Sequence, residues 1–164
     1  MTKKLWMLVA MLAALGSIGL GIPVASANDQ EVPFRGSYAG TVAFTGPATV
    51  HFSGTGHATH LGRSVNDGEA DITGPSADCP GGMANVNIET LRAANGDTLT
   101  LTSDDVACPV SPGVLQGMGS WWVSGGTGRF RNTTGSGTID GQSDFNQGVF
   151  EFELMGSISA PNGG

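Results

Sequence analysis

From Gly36 onward, apolar and polar residues alternate with period two, and no stretch of ten or more residues carries a sustained helical stripe. In "GSYAGTVAF" the residues Tyr38, Val42 and Phe44 share a face, and in "ATVHF" Ala48, Val50 and Phe52 do. "ANVNIET" sets Ala84, Val86 and Ile88 on one side, and "DTLTLTS" sets Leu99 and Leu101 against three threonines. The cleanest segment is "GVFEFELMGSIS", where Phe150, Phe152, Leu154 and Ile158 oppose Glu151 and Glu153. Alternation of this kind predicts strands that bury one sheet face and leave the other in water.

Turn signals separate these segments at short intervals: "TGP" at 45–47, "NDG" at 66–68, "TGPSADCPGG" at 73–82, "NGD" at 95–97 and "SGGTG" at 124–128. Glycine and asparagine supply the positive φ that tight hairpins need. The count is eight or nine strands with mostly short connections, which predicts an all-β fold. A closed antiparallel barrel removes exposed sheet edges and fits the count. A two-sheet β-sandwich is the alternative that periodicity leaves open.

The amino terminus follows a different pattern. "MTKKLWMLVAMLAALGSIGLGIPVASA" has a basic start, an apolar run and small residues before Asn28, the organisation of a secretory signal. Residues 1–27 are therefore read as a signal peptide, the alternative being an uncleaved anchor helix. Residues 28–35 are read as a flexible segment, 36–159 as one barrel domain and 160–164 as a disordered tail. The 137 residues after the signal suit a single domain. They hold five arginines against fourteen acids, a formal charge of −9. Such a chain repels phosphate backbones and anionic lipid, so nucleic-acid binding and stable membrane insertion after signal removal are not expected.

Export also bears on the cysteines. Cys79 in "SADCPGG" and Cys108 in "VACPVSPG" are an even pair in an exported chain, which predicts one disulfide between two turn-rich loops. The protein is accordingly expected to be secreted or to reside in the periplasm or cell envelope.

Candidate chemistry is sparse. "HFSGTGHATHLGRS" gathers all three histidines of the chain, His51, His57 and His60, among glycines. His57 and His60 differ by three and point to opposite faces of a strand, while His51 precedes the Gly54–Gly56 break, so the three do not converge on a metal. Neither this stretch nor "GGTGRFRNTTG" has the spacing or lysine of a phosphate loop, and the glycines read as strand bends and turns. Asp67, Glu69 and Asp71 form a row of carboxylates without calcium-loop spacing and read as a solvent face, as do Asp104 and Asp105. No metal site, cofactor or catalytic constellation is predicted. Trp121 and Trp122 point to opposite faces, so at least one ring is expected inside. Tyr38, Phe52, Met118, Trp121 and Trp122 are the candidates for lining an interior pocket.

The run "VSGGTGRFRNTTGSGTIDGQ" with "GVFEFELMGSIS" resembles the dirigent and allene oxide cyclase barrel superfamily, whose turn of two glycines, a threonine or serine, glycine and phenylalanine is matched by Gly125, Gly126, Thr127, Gly128 and Phe130. "GTGHATHLGRS" is similar to a motif of small secreted bacterial proteins of that barrel class. The resemblance implies a calycin-like eight-stranded barrel, often a homo-oligomer, with a central pocket for an apolar small molecule. It carries no catalytic residue onto this chain. The expected function is an exported barrel that binds a hydrophobic small molecule without catalysis. Two alternatives stand beside it: a cyclase or isomerase of an unsaturated substrate, and a structural or adhesive envelope protein. An enzyme would draw on an inward charged group, with Arg63, Arg92 and Glu89 as the residues to consider.

Overall fold

The computed structural model describes residues 30–162; the expected signal peptide lies outside them. Eight strands follow in order: β1 Glu31–Phe44, β2 Thr49–Ala58, β3 Gly62–Ser76, β4 Gly82–Ala93, β5 Thr98–Ser111, β6 Val114–Gly126, β7 Gly135–Asp144 and β8 Val149–Ser159. Each pairs antiparallel with the next, and β1 pairs antiparallel with β8, so the sheet is a closed barrel and not a sandwich. Closure removes every sheet edge, so no strand of the barrel presents unpaired backbone groups along its length.

The inward set is the one alternation predicts along β1 and β8. Phe34, Tyr38 and Val42 on β1 and Phe150, Phe152, Leu154 and Ile158 on β8 are buried. The first strand starts at Glu31, earlier than the barrel boundary expected at Gly36. Glu31–Arg35 pair with Met155–Ser159, and Phe34 is fully buried against Trp121 with ring centroids 5.5 Å apart. Residues 31–35 are thus strand and not a flexible segment, because Val32 and Phe34 supply a buried face. The carboxyl-terminal end is tied as well: Ala160 N–H donates to Gln30 and Asn162 N–H to Arg129, both through backbone carbonyls.

The interior is filled unevenly. One end holds a packed core of Phe34, Leu91, Leu99, Leu101, Trp121, Leu154 and Ile158, all at most 1% exposed. Trp121 fits because Gly137 and Gly156 face it; a Cβ at either would lie 2.6 to 2.7 Å from the ring. Its indole N–H donates to the Thr138 carbonyl at 2.9 Å, so the buried polar atom is satisfied. The Gly-Gly-Thr-Gly-x-Phe turn caps this end. Gly125 and Gly126 finish β6, Thr127 hydrogen-bonds Thr98, and a short 3₁₀ turn over Gly128–Phe130 drops the Phe130 ring into the core. Around the other end run the 45–48, 77–81, 112–113 and 145–148 connections. There the Cys79–Cys108 disulfide joins the β3–β4 connection to β5.

The histidine-rich stretch is strand and turn, as its glycines suggest. His51 lies on the outer face of β2 and meets Asp67 at 3.2 Å, His57 is exposed on the same strand, and His60 sits in the β2–β3 turn with φ 67°. Asp67, Glu69 and Asp71 all face solvent on β3. No group of three or more metal-ligating side chains converges among the described residues, and no helix there is long and apolar enough to cross a membrane.

Candidate functional site

Above the packed core the barrel is not filled. A cavity of about 130 Å³, counted as the space open to the centre of a water molecule, reaches the disulfide-bearing end. Its walls differ in kind. On the β1, β2 and β8 side stand Val42, Val50, Phe52, Phe150 and Phe152. Phe52 meets Phe150 edge-on with centroids 5.7 Å apart, and Phe150 stacks on Phe152 at 5.5 Å. Phe44 and Phe145 stack at 4.9 Å near the mouth. In a ring of eight strands, β4 and β5 lie across from β8 and β1, and they present Asn85, Asn87, Glu89 and Asp105.

That polar wall reverses the expectation for β4. The sequence pattern put Ala84, Val86 and Ile88 inside, yet Ile88 is 56% exposed and Glu89 only 5%. Parity decides it: Glu89 shares its face with Leu91 and Ala93, which are buried in the core, so the odd-numbered residues of β4 all turn inward. The same holds on β5, where Leu99 and Leu101 carry Ser103 and Asp105 to the interior. Asp104 alone of the acidic pair is exposed. Asp105 is given room by Gly119 on the paired strand β6, where any Cβ would collide with its carboxylate. Nothing larger than glycine fits there while that carboxylate keeps its place.

The polar side chains form a directed network. Asn85 Nδ2 donates to Asn87 Oδ1 at 2.8 Å, and Asn87 Nδ2 donates to Ser103 Oγ at 3.1 Å and to Asp105 Oδ2. Asn66, below them and 2% exposed, lies against Glu89 without a hydrogen bond of good geometry. Two carboxylate oxygens, Glu89 Oε2 and Asp105 Oδ1, are buried and unpartnered. Burial pushes the Glu89 carboxyl up to about 8, the nearby Asp105 charge adding to the effect and the Asn66 amide opposing it. Burial also raises Asp105, to about 6, against the hydrogen bonds from Ser103 and Asn87. At neutral pH the wall therefore holds one neutral acid and one carboxylate. Tyr38 is pushed up to about 12 by burial and hydrogen-bonds Ser64 at 2.7 Å, so it stays a neutral phenol.

Of the five residues the sequence singled out, Phe52 lines this cavity. Tyr38 and Trp121 face the interior but belong to the packed core. Met118 and Trp122 do not face it: they are 50% and 39% exposed on the outside of β6, because Trp121 turns inward and residues an odd number of positions from it turn out. Among the three charged residues considered for acid–base work, Glu89 is inside, whereas Arg63 and Arg92 are exposed. Asp105, Asn85 and Asn87 were missed. Their signal is positional: each continues the face of a buried leucine on its own strand.

Fold and site together define a closed eight-stranded antiparallel barrel with a one-ended interior cavity. No family model and no curated protein matches the chain. Among solved structures it is similar to a pterocarpan synthase dirigent protein, at 15% identity and a TM-score of 0.52, over 92% of this chain and all of that one. The fold is dirigent-like.

Proposed function

We propose that this protein is an exported binding barrel that takes a small, largely apolar molecule into the open half of its interior, polar end toward Glu89 and Asp105. The carrying observation is the division of the cavity into a phenylalanine wall and an opposed, buried polar wall. Ligand pockets are mostly apolar, with a few placed polar groups that fix orientation, and this cavity has that composition. Two unpartnered carboxyl oxygens in the open half of the barrel cost stability, which supports a role in recognition over one in folding. The disulfide supports an oxidising compartment, secreted or periplasmic. Native mass spectrometry and thermal-shift screening against small aromatic and terpenoid compounds test the reading. Saturable one-to-one binding that is lost in Phe52→Ala supports it, and silence across the panel contradicts it.

A second reading, an isomerase or cyclase of an unsaturated substrate, is favoured by one observation. A neutral acid and an ionised carboxylate in one sheltered cavity are the pair that proton transfer within a bound substrate requires. Consumption of an unsaturated ligand by the native protein but not by Glu89→Gln would establish it in place of simple binding.

A further inference from the structure

The polar wall differs from a generic hydrogen-bonding wall in what it leaves unsatisfied. Its amides already point at protein acceptors: Asn85 donates to Asn87, and Asn87 to Ser103 and Asp105. Ser103, two residues from Asp105 on β5, also favours its carboxylate. Of the buried atoms left unpartnered, the two in the cavity lining are carboxyl oxygens, Glu89 Oε2 and Asp105 Oδ1; the amide of Asn66, also unpartnered, lies below them and outside the lining. No arginine, lysine or histidine lines the cavity among the described residues. Arg35, Arg63, Arg92 and Arg131 are exposed, and Arg129 is engaged with Asp97 at the packed end. Glu89 meets its burial by staying protonated, which leaves the Asp105 carboxylate as a buried charge with amide and hydroxyl donors but no counter-cation. Opposite them the faces and edges of Phe52, Phe150 and Phe152 offer both apolar area and a surface that attracts cations.

The geometry points to a protonated amine with an apolar, aromatic-sized body as the ligand of this cavity, its ammonium between Asp105 and Glu89 and its body against Phe52, Phe150 and Phe152. The inference rests on the binding reading above and names the ligand class for the same site. An ammonium brings two or three donors and one positive charge to a wall that has spare acceptors and no positive charge. It also changes the proton count of the site. With the cavity empty Glu89 is protonated at pH 7; an ammonium beside it favours the carboxylate, so binding releases a proton. The groups that act on Glu89 are Asp105 on β5 and the Asn66 amide on β3; Glu89 in turn acts on the Tyr38 phenol on β1, and the outward Asp104 acts on Asp105. From β2, β6 and β7 the cavity receives no titratable side chain; from β8 it receives Phe150, Phe152 and the exposed Glu151, the one further titratable group in the lining.

The test compares three probes of similar shape, phenylbutylamine, phenylbutanol and benzylacetone, by isothermal titration calorimetry on the full-length protein's exported form. The expected result is an amine affinity at least about tenfold above that of the alcohol at pH 8, roughly the value of one charge-assisted hydrogen bond. Amine affinity rises between pH 6 and pH 9, and titrations near pH 7 in buffers of different ionisation heat show proton release. Asp105→Asn removes the preference for the amine while the alcohol still binds. If the alcohol or the ketone binds as tightly as the amine, with ketone affinity falling as pH rises through about 8, the amine assignment is overturned and the binding reading stands. If none of the three binds, both fail. The pH arm uses the native protein alone, so it decides the matter even if Asp105→Asn does not fold.

Discussion

Asn87 on β4 donates its side-chain amide to the carboxylate of Asp105 on β5, and both side chains point into the barrel. The bond favours the ionised form of a carboxyl group that burial alone would keep neutral, and it gives the cavity a negative centre near neutral pH. Removing the donor should move the titration further up. In Asn87→Ala the Asp105 carboxyl is expected to titrate about one unit or more above its native value of about 6. Carbon-13 NMR of the aspartate side chains checks this; an unchanged midpoint would mean that the amide does not hold the charge.

Glu89 makes an opposite contribution to stability as pH changes. Its folded value is about 8 against an ordinary 4.5, so below pH 4.5 it binds a proton in both states and costs nothing. Between 4.5 and 8 the unfolded chain ionises it and the folded chain does not, so stability falls as pH rises, and above 8 the full cost is present. That cost is on the order of 3 to 5 kcal/mol. Glu89→Gln should match the native protein in urea denaturation at pH 4 and exceed it at pH 9. Parallel pH profiles for the two proteins would contradict the placement of this carboxyl group.

The two adjacent tryptophans should respond very differently to truncation. Trp121 is 1% exposed, packs edge-on against Phe34 and donates to Thr138, so Trp121→Ala should destabilise by about 3 to 5 kcal/mol. Trp122 lies outside the barrel, and Trp122→Ala should cost less than about 1 kcal/mol. Chemical denaturation of both variants decides whether the inward parity of β6 is as described.

The disulfide spans a sequence separation of 29 residues and ties the β3–β4 connection to β5 at the open end. On the chain-entropy account the link is worth about 3 to 4 kcal/mol. A Cys79→Ala/Cys108→Ala double variant should lose about that much in denaturant unfolding while keeping its β-sheet circular dichroism. Loss of all structure would show that the bridge is needed to form the barrel.

The barrel was legible in the sequence because most of its strands bury one whole face. "GVFEFELMGSIS" leaves no choice of side, and most of the glycine signals mark where strands reverse; "NDG" at 66–68 does not, since Asn66, Asp67 and Gly68 pair with β2 inside β3, Gly68 lying against Phe52 and Glu89. The disulfide followed from the cysteine count in a chain with a signal-like start, and the structure contains it. What misled was "ANVNIET". Its even residues are apolar and its odd ones polar, so local alternation turns Ile88 inward, whereas the core residue Leu91 a few positions on turns Glu89 inward. Tertiary packing at one end of a long strand sets the parity of the other end. The conflict between local pattern and global fold falls at the cavity, where the inward face is polar. Met118 and Trp122 suit a pocket chemically, but the inward turn of Trp121 sets the parity of β6 and places both outside. Residues 31–35 were missed because Arg35 and Pro33 interrupt the pattern, although both point outward and leave Phe34 free to enter the core.

The most direct test of a one-ended binding barrel is a chemical-shift map of the isotope-labelled protein titrated with a ligand from the screen. Saturable shifts are expected at Phe52, Glu89, Asp105, Ile139 and Phe150, which line the cavity, with Leu99, Trp121 and Phe130 in the packed end unmoved. Shifts confined to the outer residues Ile88, Met118 and Trp122, with the cavity residues silent, would contradict it.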